Sequence, residues 1–128
     1  MTQEAYVSFE TAKLLKEKGF DEPCHYFYKP DSSDLYYGTE QINSQIGRFY
    51  NAPTQQMAMR WLREVHHLYI QVMLDSWALG GHMGYYVVIQ NTTSDFEMML
   101  QDALDDVFYD TYEEACETAI KYCLENLI

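Results

Sequence analysis

The chain has 128 residues, 48% of them hydrophobic and 22% charged, with a formal net charge of −12. That length fits one domain that buries a core without disulfide staples, and the apolar content excludes a disordered chain. No run of about 18 apolar residues exists, so no membrane-spanning helix is expected, and the charge argues against direct binding to nucleic acid or anionic lipid, which need lysine and arginine.

The opening residues Met1–Ala5 lack the basic start and apolar stretch of a secretory signal, so a cytoplasmic location is expected. A first helix is predicted from about Ser8 to Lys18. Ser8 is its N-cap, Ala12 and Leu15 point inward, Gly19 supplies the left-handed residue beyond the end, and Phe20 folds back on the last turn. Cys24–Tyr28 and Leu35–Gly38 flank the turn-rich Lys29–Asp34 and predict a β-hairpin. Tyr26 and Tyr28 share one of its faces by period-2 alternation. A second helix follows Pro53-Thr54, with Met57, Ala58, Trp61, Leu62 and Val65 on one side and Arg60, Arg63 and Glu64 toward solvent.

Leu68–Leu74 alternates Leu68, Ile70 and Val72 with Tyr69, Gln71 and Met73 and reads as a strand. Tyr85–Gln90 reads as its antiparallel partner across the glycine-rich Asp75–Gly84 loop. Ser94–Val107 is expected to be helical. Ser94 and Glu97 have capping-box spacing, and Phe96, Met99, Leu100, Ala103, Leu104 and Val107 recur at helical intervals; a third strand is the competing reading. Thr111 and Glu114 again have capping-box spacing. They open a last helix to about Leu127, with Ala115, Cys116, Ala119, Ile120, Cys123, Leu124 and Leu127 as its apolar stripe. The expected architecture is therefore α+β: a small antiparallel sheet with helices packed on one face, in a single two-layer domain over residues 1–128.

Motifs that carry chemistry are absent. There is no phosphate loop, dinucleotide fingerprint, nucleophile elbow or zinc-protease helix. Cys24, Cys116 and Cys123 form an odd set without metal-ligand spacing and are read as buried thiols. His66 and His67 are adjacent, so they point apart and form no one-sided metal pair; a cap at the helix end explains them. No metal, cofactor or catalytic residue is expected. Charge is uneven: residues 1–93 carry ten acidic and seven basic side chains, and residues 94–128 carry ten acidic ones with Lys121 as their basic residue. That end suits a basic partner or simple solvation. Twelve tyrosines favour strands for ordinary packing, and they also supply amphipathic contact residues. The candidate contact residues are therefore Tyr26, Tyr28 and Tyr36 on the hairpin, Trp77 and His82 in the glycine loop, Arg60 and Arg63 on the second helix, and the acidic Asp102, Asp105 and Asp106.

Three helical blocks also carry a resemblance. Tyr6–Phe20, Ala52–Glu64 and Thr111–Glu117 through Leu127–Ile128 resemble small uncharacterised proteins of Bacteroidetes bacteria and of their phages and prophages. The blocks cover about 45 residues and contain no catalytic residue. The resemblance implies a non-enzymatic phage or mobile-element accessory protein in the cytoplasm of a bacterial host. Such a protein acts by binding a host macromolecule, a host protein first of all, and inhibition of a defence system is one such role. The alternative is a small-molecule binder, a sponge for signalling nucleotides, in which tyrosines stack bases and arginines hold phosphates. The sequence does not fix an oligomeric state.

Overall fold

A computed structural model describes residues 5–42, 48–75, 84–104 and 108–128 of the chain. Helix α1 spans Phe9–Glu17. Ser8 caps it by accepting the Thr11 N–H, and its far end closes as the sequence requires. The Phe20 N–H bonds the Leu15 carbonyl at 2.9 Å and the Gly19 N–H bonds the Lys16 carbonyl at 3.1 Å, with Gly19 at φ +92°. This paired closure needs a left-handed residue, which a side chain would strain. It delivers Phe20 into the interior, edge-on to Trp61 at 5.4 Å.

Strands β1 (Cys24–Tyr28) and β2 (Leu35–Ile42) form the predicted hairpin, and β3 (Tyr50–Asn51) pairs with the other edge of β1. Helix α2 (Gln55–His66) starts at Thr54, whose hydroxyl accepts the Met57 N–H, and stops at His67 in the left-handed region, φ 60°. Strands β4 (Leu68–Asp75), β5 (Gly84–Asn91) and β6 (Glu97–Met99) make a second antiparallel sheet in the order β4-β5-β6. A single turn α3 (Leu100–Ala103) follows, and α4 (Tyr112–Asn126) closes the fold with Thr111 as its N-cap. The domain is α+β, as expected, and its strands divide into two three-stranded antiparallel sheets.

The helical reading of Ser94–Val107 is corrected over Ser94–Met99, and its last residues, 105–107, lie outside the described residues. Ser94 does not cap a helix; its hydroxyl accepts the Phe96 N–H inside a turn. Asn91 accepts the Thr93 N–H, and its own N–H bonds the Phe96 carbonyl. These local bonds turn the chain back so that Glu97, Met98 and Met99 pair with Gln90, Ile89 and Val88. An open strand edge offers ladder bonds that periodicity does not register, so tertiary pairing overrides the local helical pattern. Helix starts only at Leu100, which is fully buried.

One continuous core joins Val7, Leu15 and Phe20 to Trp61, Leu62, Ile70, Val87, Ile89 and the α4 stripe. Ala115, Cys116, Ala119, Ile120, Cys123 and Leu124 are all fully buried, as the stripe predicts. Val65 departs from the α2 face assigned to it and is 53% exposed.

The three longer helices meet at the side chain of Glu117. Its Oε2 accepts the Ser8 N–H at 3.2 Å, the Ser8 hydroxyl at 2.8 Å and the Thr11 hydroxyl, while Oε1 accepts from Gln55 at 3.4 Å. Gln55 also donates to the Glu113 carbonyl at 3.0 Å. The starts of α1 and α2 are thereby fastened to the second turn of α4. The strand-like entry to α1 is held as well. Gln55 N–H bonds Ala5 O, Val7 N–H bonds Pro53 O, and the Tyr28 phenol donates to Val7 O at 2.8 Å.

Replacing Ile120 by Asp puts a carboxylate into this core. We expect a loss of several kcal/mol in urea unfolding, out of the ~5–15 kcal/mol that hold a domain. A variant that melts like the parent would show the stripe to be unburied.

Candidate functional site

The first hairpin separates its aromatic residues by the strand alternation. Tyr26 lies opposite Tyr37 and Phe27 opposite Tyr36, so the two pairs occupy opposite faces. On one face Tyr26 meets Tyr37 edge-on at 5.1 Å and Tyr6 at 4.4 Å, and His25 stacks on Tyr37 at 5.5 Å. The Tyr6–Thr54 bridge and the Pro53 carbonyl bond bring the chain entrance against the start of α2. A groove of about 340 Å³ results, lined by Tyr6, Pro23, Cys24, His25, Tyr26, Tyr37, Ala52, Pro53, Thr54 and Met57. Tyr37 is 61% exposed, the most open large apolar residue among those described.

The groove is lined by aromatic and apolar side chains with the His25 imidazole among them. Its lining contains neither carboxylate nor ammonium nor guanidinium. His25 Nδ1 lies 3.0 Å from the Gly38 carbonyl and so carries its proton there, fixing the ring to the hairpin's own backbone. Burial, with the Glu22 carboxylate nearby, pushes the Cys24 thiol up to about 12, so it is no nucleophile at neutral pH. Cys116 and Cys123 are likewise pushed up, to about 11 and about 12, mainly by burial. Among the described residues no three histidine, cysteine or acidic side chains converge as a metal site. No described helix is long and apolar enough to cross a membrane.

The candidate residues do not form one site. Tyr26 belongs to the groove. Tyr28 lies on the same face but is buried at 7% exposure, and burial, then Glu117, raises its phenol pKa. It is therefore a core residue, not an available anchor. Tyr36 lies on the other face, stacked on Phe27 at 5.9 Å, with the Lys29 ammonium 4.5 Å from its ring centre. Arg60 is paired with Glu22 at 3.2 Å. Arg63 lines a separate groove beside β4 with Tyr69 and Tyr112. Asp102 is exposed on α3. Trp77, His82, Asp105 and Asp106 lie outside the described residues. Sequence reasoning left out Tyr6, His25, Tyr37 and Met57. Tyr37 was legible as the cross-strand neighbour of Tyr26; Tyr6 and Met57 arrive through long-range pairing that no local spacing marks. The chain matches no known protein family, no curated protein and no solved structure.

The adjacent histidines fill the structural role expected of them at the end of α2. His67 is the left-handed cap residue, and His66 packs edge-on to Trp61 at 4.7 Å, its buried Nε2 without a hydrogen-bond partner among the described residues. Burial first, then the charges of His67 and Lys18, lower the His66 pKa. The unfolded chain, with an imidazole near pKa ~6.5, takes this proton more readily than the folded one. Stability from His66 is therefore full above that pH and falls on acidification. The melting temperature of the parent should drop more steeply than that of a His66→Gln variant between about pH 7 and pH 5.5. Parallel profiles would show that His66 is not held neutral.

Proposed function

We propose that this domain is a non-enzymatic binding protein whose contact surface is the Tyr6–Tyr26–Tyr37 groove. The observation that carries the reading is the half-exposed aromatic cluster, with Tyr37 outermost, in a groove whose lining holds no carboxylate, ammonium or guanidinium. Tyrosines that become buried on association dominate binding energy, because each covers much area for little conformational entropy. The groove is apolar within a chain of net charge −12. A partner that fits it is a protein that seats an apolar segment between the tyrosines and presents basic residues around them. The exposed charges, Asp102 among them, steer such a partner more than they hold it. The placement in a phage or mobile element, with a host protein as the target and inhibition of a defence system as a role, rests on the resemblance of the three helical blocks.

The nucleotide-sponge reading needs stacking rings and cations together. The tyrosine groove is lined without a cation, Arg60 is engaged by Glu22, and Arg63 sits in the other groove. We therefore rank it second.

Affinity capture from host lysate with parent and variants tests the proposal. Tyr26→Ala and Tyr37→Ala should each weaken capture of the recovered protein by more than ~1 kcal/mol, about fivefold, with the fold intact. Tyr36→Ala, on the opposite face, should not. Equal capture by all three variants would remove the groove as the contact surface. In a thermal-shift screen, mono-, di- and cyclic nucleotides should leave the melting temperature unchanged. A saturating ligand adds about 2.7 kcal/mol at 100 times its dissociation constant, so a clear shift would put the nucleotide reading first.

A further inference from the structure

Strand edges must be satisfied or defended. An unpaired edge presents a row of backbone N–H and C=O groups, and folded proteins blunt such rows by shortness, proline, lysine or a bulge. In this chain β3 has two residues and β6 three, so those edges are short. The edge strand β2 is long, but its pairing with β1 slips register between Cys24 and Tyr26, whereas β4 is both long and regular. No described strand pairs with the side of β4 turned away from β5. The strand has eight residues and runs in unbroken register with β5 from Leu68 to Asp75, without a bulge. Its sequence, Leu-Tyr-Ile-Gln-Val-Met-Leu-Asp, has no proline and no lysine, and its one charge lies at the end.

That edge is also open. A groove of about 360 Å³ is lined by the five consecutive residues Tyr69 to Met73. Successive strand side chains point to opposite faces, so five in a row line one groove only if it follows the backbone edge. Arg63 of α2 and Tyr112 of α4 flank it, and Gln56 donates to the Tyr112 hydroxyl at 3.0 Å on the same side. A groove that follows a backbone edge fits an added β-strand.

We propose that the occupant is β4 of a second copy of this chain, so that two β4-β5-β6 sheets join into one six-stranded antiparallel sheet. A two-fold axis through the sheet pairs residues whose side chains share a face, and it must pass through a residue rather than between two. Placed at Gln71, it sets Tyr69 against Met73, Ile70 against Val72 and Leu68 against Leu74. Apolar side chains then meet apolar ones on both faces. Gln71 meets its own counterpart beside Gln90, to which it already donates a hydrogen bond. The amides then form a row across the seam. Shifting the axis to Val72 would set Tyr69 against Asp75 and Gln71 against Met73. Charge favours the first register too. A chain of net charge −12 resists self-association, yet residues 68–74 bring no charge to the seam, and the charged side chain that lines the groove is the basic Arg63. This surface is distinct from the tyrosine groove, and neither reading depends on the other.

Sedimentation velocity and light scattering on the parent and on two Gln71 variants test the pairing. The parent should move to twice its chain mass as concentration rises. Gln71→Lys and Gln71→Glu each place like charges against one another at the two-fold, on a half-exposed position that the monomer tolerates. Each variant alone should stay at monomer mass with an unchanged circular-dichroism spectrum. Their mixture should recover the dimer, because the introduced lysine and glutamate then face each other. A parent that is monomeric at every accessible concentration would overturn the proposal. So would a Gln71→Lys variant that dimerises like the parent, or a mixture that stays monomeric.

Discussion

A single carboxylate fastens the helical framework. Glu117 belongs to α4, but its acceptors serve the start of α1 through Ser8 and Thr11 and the start of α2 through Gln55. Helix starts leave N–H groups without partners and carry partial positive charge, so an anion placed there satisfies donors and dipole together. Hydrogen bonds to an ionised acceptor are worth more than neutral ones. Three elements far apart in sequence are thus held in one arrangement at one point. The Lys121–Glu10 ion pair at 2.6 Å joins α4 to α1 as well, but it is largely exposed and contributes little.

That fastening bears on the tyrosine groove. The segment at Ala5–Val7 is gripped between α2, through the Gln55 and Pro53 backbone bonds, and the first sheet, through the Tyr28 phenol. Tyr6 sits in the middle of that segment and contacts Tyr26. The groove is therefore assembled where an anchored chain entrance, a helix start and a hairpin meet. Its walls are preset by the backbone bonds of Ala5, Val7, Pro53 and Gln55 and by the Tyr28 phenol, and a preset surface spends less entropy on binding. The β4 edge depends on a different part of the frame, the packing of Ile70 and Val87 against the helices.

The helices were legible because their signals are local. Ser8, Thr54 and Thr111 each accept an N–H three residues on, Gly19 ends α1 in the left-handed region, and the α4 stripe is buried from Ala115 to Leu124, with Leu127 partly buried at its end. Both long hairpins were legible by alternation and turn residues. Ser94–Met99 was not, because a cap-like spacing was outcompeted by pairing with β5, whose free edge no local pattern reveals. The contact residues were legible only in kind. A count of tyrosines suits packing as well as recognition, and strand parity, a cross-strand pair and the long-range arrival of Tyr6 decide which rings line the groove. Tyr28 shares a face with Tyr26 and ends in the core, because Val7 takes its hydroxyl inward. The cross-links at Glu117 span more than a hundred residues between Ser8 or Thr11 and α4, a separation at which spacing carries no information.

The Glu117 carboxylate couples the starts of the helices. A double-mutant cycle tests it most directly, with Thr11→Val, Glu117→Gln and the double variant compared by urea unfolding. A coupling free energy of about 1 kcal/mol or more is expected, within the ~0.5–3 kcal/mol seen for residues sharing a hydrogen-bond network. Single effects that add to within ~0.3 kcal/mol would show the two side chains to be independent and the helix starts to be uncoupled.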